Sequence, residues 1–378
     1  MPARVRGGPR RLLMTTDAVG GVWSYALDLA RSLSSSRIDT MLAVLGPELS
    51  AEQRREAQSI DLAAVVETRL PLDWMCEGRD ALRRAAQGIA FLAQRIDADL
   101  VQLNGSALAA EAVFGMPVLA VHHSCLATWW AVVKREPLPP GWGWHADLVR
   151  RHLAAADRVV TPSRAFAELT TSTYRLARTP VVVHNGRSPA CIEPKRAGSL
   201  RAVFTAGRLW DEGKNIAALD RAAASLDAPV FAAGPLTGPD GSRIAVRNLR
   251  LLGRLPEAGV RSWLASRPIF VSTARYEPFG LAVLEAAQAG CALILSDIPS
   301  FRELWQGAAR FVDADDDAAL AAAALKLLRN PATRRQMGEV ARERAESYRL
   351  DRAASAMTAL YGDLICGAGG ARPAEDAA

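Results

Sequence analysis

Residues 268–297 constrain the fold of this chain more than any other stretch, because two short apolar runs flank a sharp loop and a helical segment. The runs Ile269–Val271 and Ala292–Leu295 have the composition of buried strands. Between them, Pro278 cannot take part in a sheet, so the chain must turn there. Leu281–Ala289 then consists of helix-forming residues. The stretch therefore predicts a strand, a sharp loop, a short helix and a second strand.

Two carboxylates lie in this unit, Glu277 in the loop and Glu285 four residues after Leu281 in the helix. Because helical side chains lean towards the helix N-terminus, the Glu285 carboxylate can face whatever lies above the helix start. Gly280 lets the backbone come close to a ligand, and the amides of the first helical turn suit a phosphate. Taken alone, however, the two acids do not require a ligand. A structural interpretation, in which Glu277 starts a helix and Glu285 is a solvated charge, explains them equally well.

Strands alternate with helices along the rest of the chain as well. The predicted pairs include Leu12–Met14 with Val22–Leu33, and Thr40–Leu45 with Ala51–Gln58. Such βαβ units predict parallel sheets, whose ligands bind beyond the carboxyl ends of the strands. Near the end of the chain, Arg334–Tyr361 is predicted to be an amphipathic helix.

Candidate ligand contacts in the first half follow two predicted strands. Gly20 and Gly21 lie between a strand and a helix, where backbone amides can touch a phosphate or a sugar, although a tight turn explains them equally well. His122 ends the strand Pro117–Val121. Metal ligation by His122 or His123 is not expected, because the two are adjacent and no further His or Cys stands at ligand spacing.

In the second half, a basic turn follows the predicted strand Ala202–Ala206. Arg208 can bind phosphate oxygens bidentately, and Lys214 adds a point charge at the start of the next helix. Exposed basic residues are common, so this pair alone indicates little.

Composition limits the class of protein. The 378 residues suffice for two α/β domains, and the net charge of +6 is spread evenly, which gives no indication of nucleic-acid binding. The five scattered cysteines lack CxxC pairing, which favours reduced thiols in a cytosolic protein. The sequence has neither an apolar run long enough to span a membrane nor a recognisable signal peptide. Its basic character leaves room for peripheral contact with the inner face of a membrane.

Four of the nine tryptophans lie within residues 126–144, around a stretch rich in proline and glycine. This segment is predicted to be a loop, and two interpretations stay open. The tryptophans either anchor the loop by packing or form a platform on which the sugar rings or the lipid tail of an acceptor substrate could lie.

The segment from Glu277 through Leu281, EPFGL, together with Glu285 and Ala286, resembles the E-x7-E signature of the family-4 (group 1) retaining glycosyltransferases. Arg208 and Lys214 match the basic pattern by which that family binds the donor diphosphate. The resemblance is specific across about residues 200–305 and moderate at 12–35 and 117–190.

The resemblance implies the GT-B fold, with two Rossmann-like, doubly wound parallel-sheet domains that face a cleft and a C-terminal helix that crosses back to the first domain. The predicted limits are a flexible tail at 1–10, an acceptor-binding domain at 11–187, a nucleotide-sugar-binding domain at 188–345, a cross-over helix at 346–366 and a disordered tail at 367–378. Proline, glycine and basic residues after the first domain predict an interdomain linker that runs to about residue 200.

As the resemblance implies, the chain would move a hexose from a nucleotide-diphosphate sugar to a saccharide or a lipid-linked acceptor, with retention and without a metal or a further cofactor. Arg208, Lys214 and the amides at Gly280 and Leu281 would neutralise the diphosphate, and Glu285 would bind the ribose. Donor-sugar contacts would come from Glu277, His122, Gly20 and Gly21. Phe279 and Asn185 complete the predicted site. The family often has Asp where this chain has His123, which leaves the partner of His122 open.

Other functional classes explain the motifs less well. A glycosidase that uses Glu277 and Glu285 would not need phosphate-binding cations beside them. A dinucleotide enzyme would need a glycine fingerprint that is missing here. Two alternatives on the same scaffold remain, a catalytically silent nucleotide-sugar-binding protein and a sugar-nucleotide epimerase.

Overall fold

The computed structural model describes residues 9–369 apart from 62–63, 77, 106, 189–199 and 240. Within these residues the chain forms two parallel α/β sheets, which confirms the predicted GT-B fold class. Most of the predicted N-terminal tail, nearly all of the predicted interdomain linker and residues 370–378 of the predicted C-terminal tail lie outside the described part.

The first sheet has seven strands in the described part, in the order β3-β2-β1-β4-β5-β6-β7. The order reverses direction at β1 and β4, as in a doubly wound sheet, and this creates a crevice at the carboxyl ends of the strands. The strands are β1 (Arg11–Asp17), β2 (Asp39–Leu45), β3 (Ala64–Glu67), β4 (Leu100–Leu103), β5 (Val118–Val121), β6 (Arg158–Thr161) and β7 (Val181–Val182).

The second sheet has six described strands in the order β10-β9-β8-β11-β12-β13, so its reversal lies between β8 and β11. The basic turn follows β8, and the loop with Glu277 follows β11, which places both at the same sheet edge. The strands are β8 (Val203–Ala206), β9 (Val230–Ala233), β10 (Arg250–Gly253), β11 (Ile269–Ser272), β12 (Leu293–Ser296) and β13 (Arg310–Val312).

Helices cover both faces of each sheet. Those of the first half are α1 (Gly21–Ser34), α2 (Ala51–Gln58), α3 (Arg79–Arg95), α4 (Leu126–Val133), α5 (Gly143–Ala155) and α6 (Arg164–Tyr174). Those that follow are α7 (Ile216–Ala223), α8 (Glu257–Ala265), α9 (Leu281–Gln288), α10 (Pro299–Trp305), α11 (Asp317–Arg329), α12 (Pro331–Ala345) and α13 (Leu350–Gly369). No helix in the described part is both long and apolar enough to cross a membrane.

Each sheet is buried on both faces because its strands are apolar at consecutive positions. In β1, Leu12 and Met14 face the core under α1, whereas Leu13 faces the opposite core under α3, and all three are fully buried. Side chains alternate along a strand, so a run without polar interruption fills two layers at once. The apolar runs in the sequence therefore predicted these strands well.

The prediction of one helix over Arg334–Tyr361 is wrong. The chain forms α12, a short 3-10 turn at Glu346–Tyr348, and then α13. Tyr348 breaks the helix because its side chain is buried, its hydroxyl donates to the Leu304 carbonyl at 3.0 Å, and its own carbonyl accepts from Arg187 N. The chain changes direction there, and α13 packs on α1 of the first domain, as predicted for the cross-over segment.

The tryptophan-rich segment also differs from its prediction as a loop. Leu126–Val133 is helix α4, and Pro140–Trp142 is a single 3-10 turn that leads into α5. The first two tryptophans thus lie on a helix. Apolar residues at consecutive positions gave this segment no helical periodicity to detect.

Close packing of two backbones yields a prediction for glycines inside helices. A Cβ added to Gly338 of α12 would lie 2.1 Å from the Gly290 carbonyl oxygen, whereas one added to Gly362 of α13 would meet nothing within 4 Å. We expect Gly338→Ala to lower the free energy of unfolding by about 1–3 kcal/mol through overpacking. The matched Gly362→Ala should raise it by roughly 0.5–1 kcal/mol through helix propensity. Urea denaturation measures both, and equal effects would contradict this packing.

Candidate active site

A cavity of about 270 Å³ lies between the two domains, at the carboxyl ends of the strands. It is lined from the first domain by the glycine loop after β1 and from the second domain by the basic turn after β8 and the loop after β11. Of the predicted site residues, those that line it are Gly20, Gly21, Asn185, Arg208, Lys214, Glu277, Phe279, Gly280 and Leu281. Residues separated by up to 261 positions in the sequence thus meet in one place.

The glycine loop contacts the second domain directly. The Asp17 carboxylate accepts hydrogen bonds from the amides of Val19 at 2.8 Å and Gly20 at 3.3 Å, which fixes the loop. An ideal Cβ on Gly20 would be 3.8 Å from an Arg208 guanidinium nitrogen, and one on Gly21 would be 3.5 Å from a Leu281 methyl carbon. A Cβ at either position would therefore make only an ordinary van der Waals contact with the second domain.

The basic turn brings two cations to the cavity. The Arg208 guanidinium donates to the Asp211 carboxylate at 2.9 Å and keeps 40% of its side chain exposed. The Lys214 ammonium forms an ion pair with the Glu277 carboxylate. Each cation thus has an acidic partner, and both face a space in which an anionic ligand can bind.

The start of α9 lines the same cavity as these cations. Gly280 has φ 89°, a left-handed conformation that favours glycine, and a Cβ there would be 3.1 Å from the Phe301 ring. The first amides of a helix have no acceptor within the helix and carry partial positive charge. The cavity therefore combines helix amides with a guanidinium and an ammonium, a combination that suits a phosphate group.

The two adjacent histidines lie in different places. His123 lines the cavity, donates from Nε2 to the side-chain oxygen of Asn104 at 3.2 Å, and contacts Tyr25 edge to face. His122 is buried behind the cavity against Phe166, and neither of its ring nitrogens has a hydrogen-bond partner. Burial lowers the pKa of His122 to about 3 and that of His123 to about 4, so both are neutral at pH 7. The structure thus brings His123, rather than the predicted His122, to the site.

Glu285 also lies apart from the cavity lining. Its carboxylate forms an ion pair with the Arg187 guanidinium at 2.6 Å. Burial raises the pKa of Glu285 above its usual range, and the nearby Arg187 opposes this shift. Arg187 also binds Asp28 of α1 at 2.6 Å and Glu257 of α8 at 2.8 Å. Sequence reasoning missed Arg187, because a lone arginine beside a predicted linker carries no local signal.

Further polar contacts join the domains beside the cavity. Ser163, at the N-cap of α6, donates to the Pro278 carbonyl at 2.6 Å. The Glu303 carboxylate of α10 accepts from the amides of Arg164 at 2.9 Å and Ala165 at 2.7 Å, so an acid of one domain caps a helix of the other. Within the described residues, no group of three metal-ligating side chains occurs.

The fold defines a two-domain protein of the GT-B class, and the cavity between its domains has a lining that suits an anionic ligand. Two family models match consecutive parts of the chain, Glycosyltransferase Family 4 over residues 19–190 and Glycosyl transferases group 1 over residues 243–344. The chain belongs to the family-4, group 1 glycosyltransferases.

Known relatives agree with this assignment. A phosphatidyl-myo-inositol mannosyltransferase of Mycobacterium leprae is 30% identical over 119 residues, which span 31% of this chain and 32% of that protein. Sucrose-phosphate synthase of Thermosynechococcus elongatus superposes with a TM-score of 0.71 at 17% identity over 94% of this chain and 99% of its own. Anabaena HepE, solved in complex with UDP-glucose, gives 0.71 at 16% identity over 94% and 100%. These superpositions confirm the fold.

The buried ring of His122 predicts a pH-dependent stability. The unfolded chain takes up a proton near the ordinary pKa of 6.5, whereas the folded chain resists protonation down to a pKa of about 3. The free energy of unfolding therefore falls as the pH drops below 6.5. We expect His122→Phe to reduce this loss by about 1 kcal/mol between pH 6 and pH 5. Urea denaturation at pH 8 separates the packing cost, and an unchanged pH dependence would refute neutral burial of His122.

The charge cluster at Arg187 predicts a large difference between two arginines. Arg187→Met leaves three carboxylates without their shared buried cation and should lower the free energy of unfolding by about 3 kcal/mol. The control is Arg31→Met, because Arg31 also binds Asp28 but is half exposed and should cost less than about 1 kcal/mol. Comparable losses for the two variants in urea denaturation would show that the cluster contributes no more than a surface pair.

Proposed function

We propose that this protein transfers a hexosyl group from a nucleoside-diphosphate sugar to a hydroxyl of a saccharide or lipid-linked acceptor, with retention of anomeric configuration. The observation that carries the proposal is the convergence of Arg208, Lys214 and the α9 N-terminus on one interdomain cavity. Charge on the departing diphosphate grows as its bond to the sugar breaks. Cations and amides placed there stabilise the transition state more than the ground state.

The proposed step forms one bond and breaks one. The acceptor hydroxyl oxygen bonds to the anomeric carbon, and the bond from that carbon to the diphosphate oxygen breaks with its electron pair. The hydroxyl proton passes to the departing diphosphate, the base that bond cleavage itself creates. Arg208, Lys214 and the amides of α9 receive the new negative charge, so the reaction is proposed to proceed without a metal.

Glu277 and His123 would orient the donor sugar. The Glu277 carboxylate now holds the Lys214 ammonium, and a bound donor would place its phosphates beside the lysine and its hydroxyls beside the acid. His123 lines the cavity as a neutral ring whose Nε2 donates to Asn104, so its Nδ1 can accept one hydrogen bond from a sugar hydroxyl. Gly20 and Gly21 would cover the sugar from the first domain, and His122 would support this wall from behind.

Glu285 would bind the ribose hydroxyls only after a local exchange of partners. Its carboxylate is engaged by Arg187, and Asp28 and Glu257 can retain that guanidinium when the ribose arrives. We therefore propose that donor binding replaces the contact between Arg187 and Glu285 with hydrogen bonds from ribose to Glu285.

The relatives support a sugar-nucleotide donor, since HepE was solved with UDP-glucose and with UDP. The mannosyltransferase relative, whose name gives phosphatidyl-myo-inositol, supports a lipid-linked acceptor. The four described cysteines form no disulfide, which favours a reducing compartment such as the cytoplasm. Peripheral contact with the inner face of a membrane would give access to a lipid-linked acceptor.

A screen of UDP-, GDP- and ADP-sugars tests the proposal through binding and turnover. A donor at about 100 times its Kd should raise the free energy of unfolding by about 2.7 kcal/mol and be slowly hydrolysed, even after treatment with EDTA. Lys214→Ala should reduce kcat/KM for hydrolysis by about 100-fold or more, because it removes charge stabilisation at the leaving group. Nuclear magnetic resonance of the released sugar would report whether the first product keeps its anomeric configuration.

Lys326→Ala is the matched control, since Lys326 is an exposed lysine on α11 distant in sequence from the basic turn. It should leave binding and turnover unchanged. Stabilisation without turnover would indicate a silent nucleotide-sugar-binding protein, and an altered sugar nucleotide would indicate an epimerase. No stabilisation by any donor would refute the site.

A further inference from the structure

A second and larger cavity, of about 650 Å³, adjoins the first between the two domains. Five tryptophans line it, each half-buried, and they come from four separate segments of the chain. Trp74 follows β3, Trp129 and Trp130 lie on α4, Trp142 precedes α5, and Trp210 belongs to the basic turn. The tryptophans therefore form the walls of a cavity that no single segment builds.

This tryptophan cavity opens towards the proposed donor site. Ser124, Arg208, Ile216 and Tyr276 line both cavities, so a molecule in the larger one can reach the smaller one at this boundary. An acceptor must reach the anomeric carbon through space that the donor phosphates do not occupy. Of the two cavities, the larger one therefore has the position that an acceptor requires.

Most polar groups around the tryptophans are already engaged by the protein. The Asp211 carboxylate accepts from Trp129 Nε1 at 3.0 Å and binds Arg208, and Glu212 binds Lys134. Tyr276 shares a hydrogen bond of 2.9 Å with Thr128. A polyhydroxylated ligand would have to break such contacts to gain its own hydrogen bonds.

Other polar groups of the lining are engaged in the same way. Arg275 binds the Asp315 carboxylate, and Asp73 binds His145 Nε2 at 3.2 Å. The side-chain amide of Asn215 donates to the Ala314 carbonyl at 2.8 Å. Apart from the exposed Arg243, the surface that remains for a ligand is therefore mainly aromatic. It offers hydrophobic contact with little hydrogen-bonding capacity.

We propose that the acceptor carries an apolar or aromatic group, which lies in the tryptophan cavity while its reactive hydroxyl points to the boundary at Arg208. The inference rests on the proposed function and narrows it, because an apolar group covers the tryptophan faces without hydrogen bonds, whereas a plain saccharide would need hydrogen bonds from polar groups that are already engaged. The bonds formed and broken are those of the transfer step above. An acceptor of this kind is amphiphilic, with a hydroxyl-bearing head and an apolar body.

Three glucosides with the same head and different bodies test this inference. Methyl, phenyl and octyl β-D-glucopyranoside, the last below its critical micelle concentration, are titrated into the full chain with saturating nucleotide, and tryptophan fluorescence is recorded. We expect the phenyl or octyl glucoside to bind at least about tenfold more tightly than the methyl glucoside. Equal affinities, or the absence of detectable binding by either apolar glucoside, would overturn the inference.

Trp142→Ala and Trp74→Ala should each weaken binding of the apolar glucoside by about tenfold and leave the affinity for the nucleotide within about twofold. Trp142→Phe keeps an aromatic face and should recover much of the loss. Phe91→Ala removes an exposed aromatic ring outside the cavity and should change nothing. Unchanged glucoside binding in both tryptophan-to-alanine variants would also overturn the inference.

Binding of UDP, GDP or ADP in the same samples tests the proposed donor site separately from the inferred apolar acceptor. If a nucleotide binds and Lys214→Ala abolishes that binding, the proposed donor site stands whatever the glucosides do. Loss of nucleotide binding in the wild type would instead count against the proposed function itself.

Discussion

One buried guanidinium sets the relation between the two halves of this protein. Arg187 is 8% exposed and binds carboxylates from α1 in the first domain and from α8 and α9 in the second. Its backbone also pairs with the returning chain, since Arg187 N donates to Tyr348 O at 3.2 Å and Leu350 N donates to Arg187 O at 3.3 Å. Both connections between the domains therefore meet at one residue. A buried charge is tolerated only when its partners are complete, and these partners are complete only in this domain arrangement.

The candidate site depends on that arrangement because neither domain holds it alone. The second domain supplies the cations and the helix amides, and the first supplies the glycine loop and His123. The contacts of Ser163 and Glu303 join the same two domains beside the cavity. A small change in the angle between the domains would separate Gly20 from Arg208 while leaving each half intact.

The sequence predicted the parts of this structure that local pattern controls. Uninterrupted apolar runs predicted the strands, and the loop from Glu277 to Gly280 predicted part of the second-domain wall. The prediction named His122 as the donor-sugar contact, whereas His123 lines the cavity. Neighbouring side chains diverge at the end of a strand, and only the packing around it shows which one faces the cavity. The partner of Glu285 was equally hidden, since Arg187 is 98 positions away and is brought there by the fold. The sequence showed only part of the tryptophan cavity, as a cluster within residues 126–144. Trp74 and Trp210 come from other segments, and only the fold brings them to the same cavity.

The return of α13 to the first domain has a consequence for biosynthesis. Met357, Tyr361 and Leu364 fill the core beneath α1, and the Tyr361 hydroxyl binds the buried Gln102 side chain. The second domain is continuous in sequence and can complete its core as soon as it leaves the ribosome. The first domain, although synthesised earlier, lacks part of its interior until the last helix emerges. The first domain is therefore synthesised first, but its core is completed after that of the second domain. Until α13 is synthesised, an apolar face of the nascent first domain stays exposed.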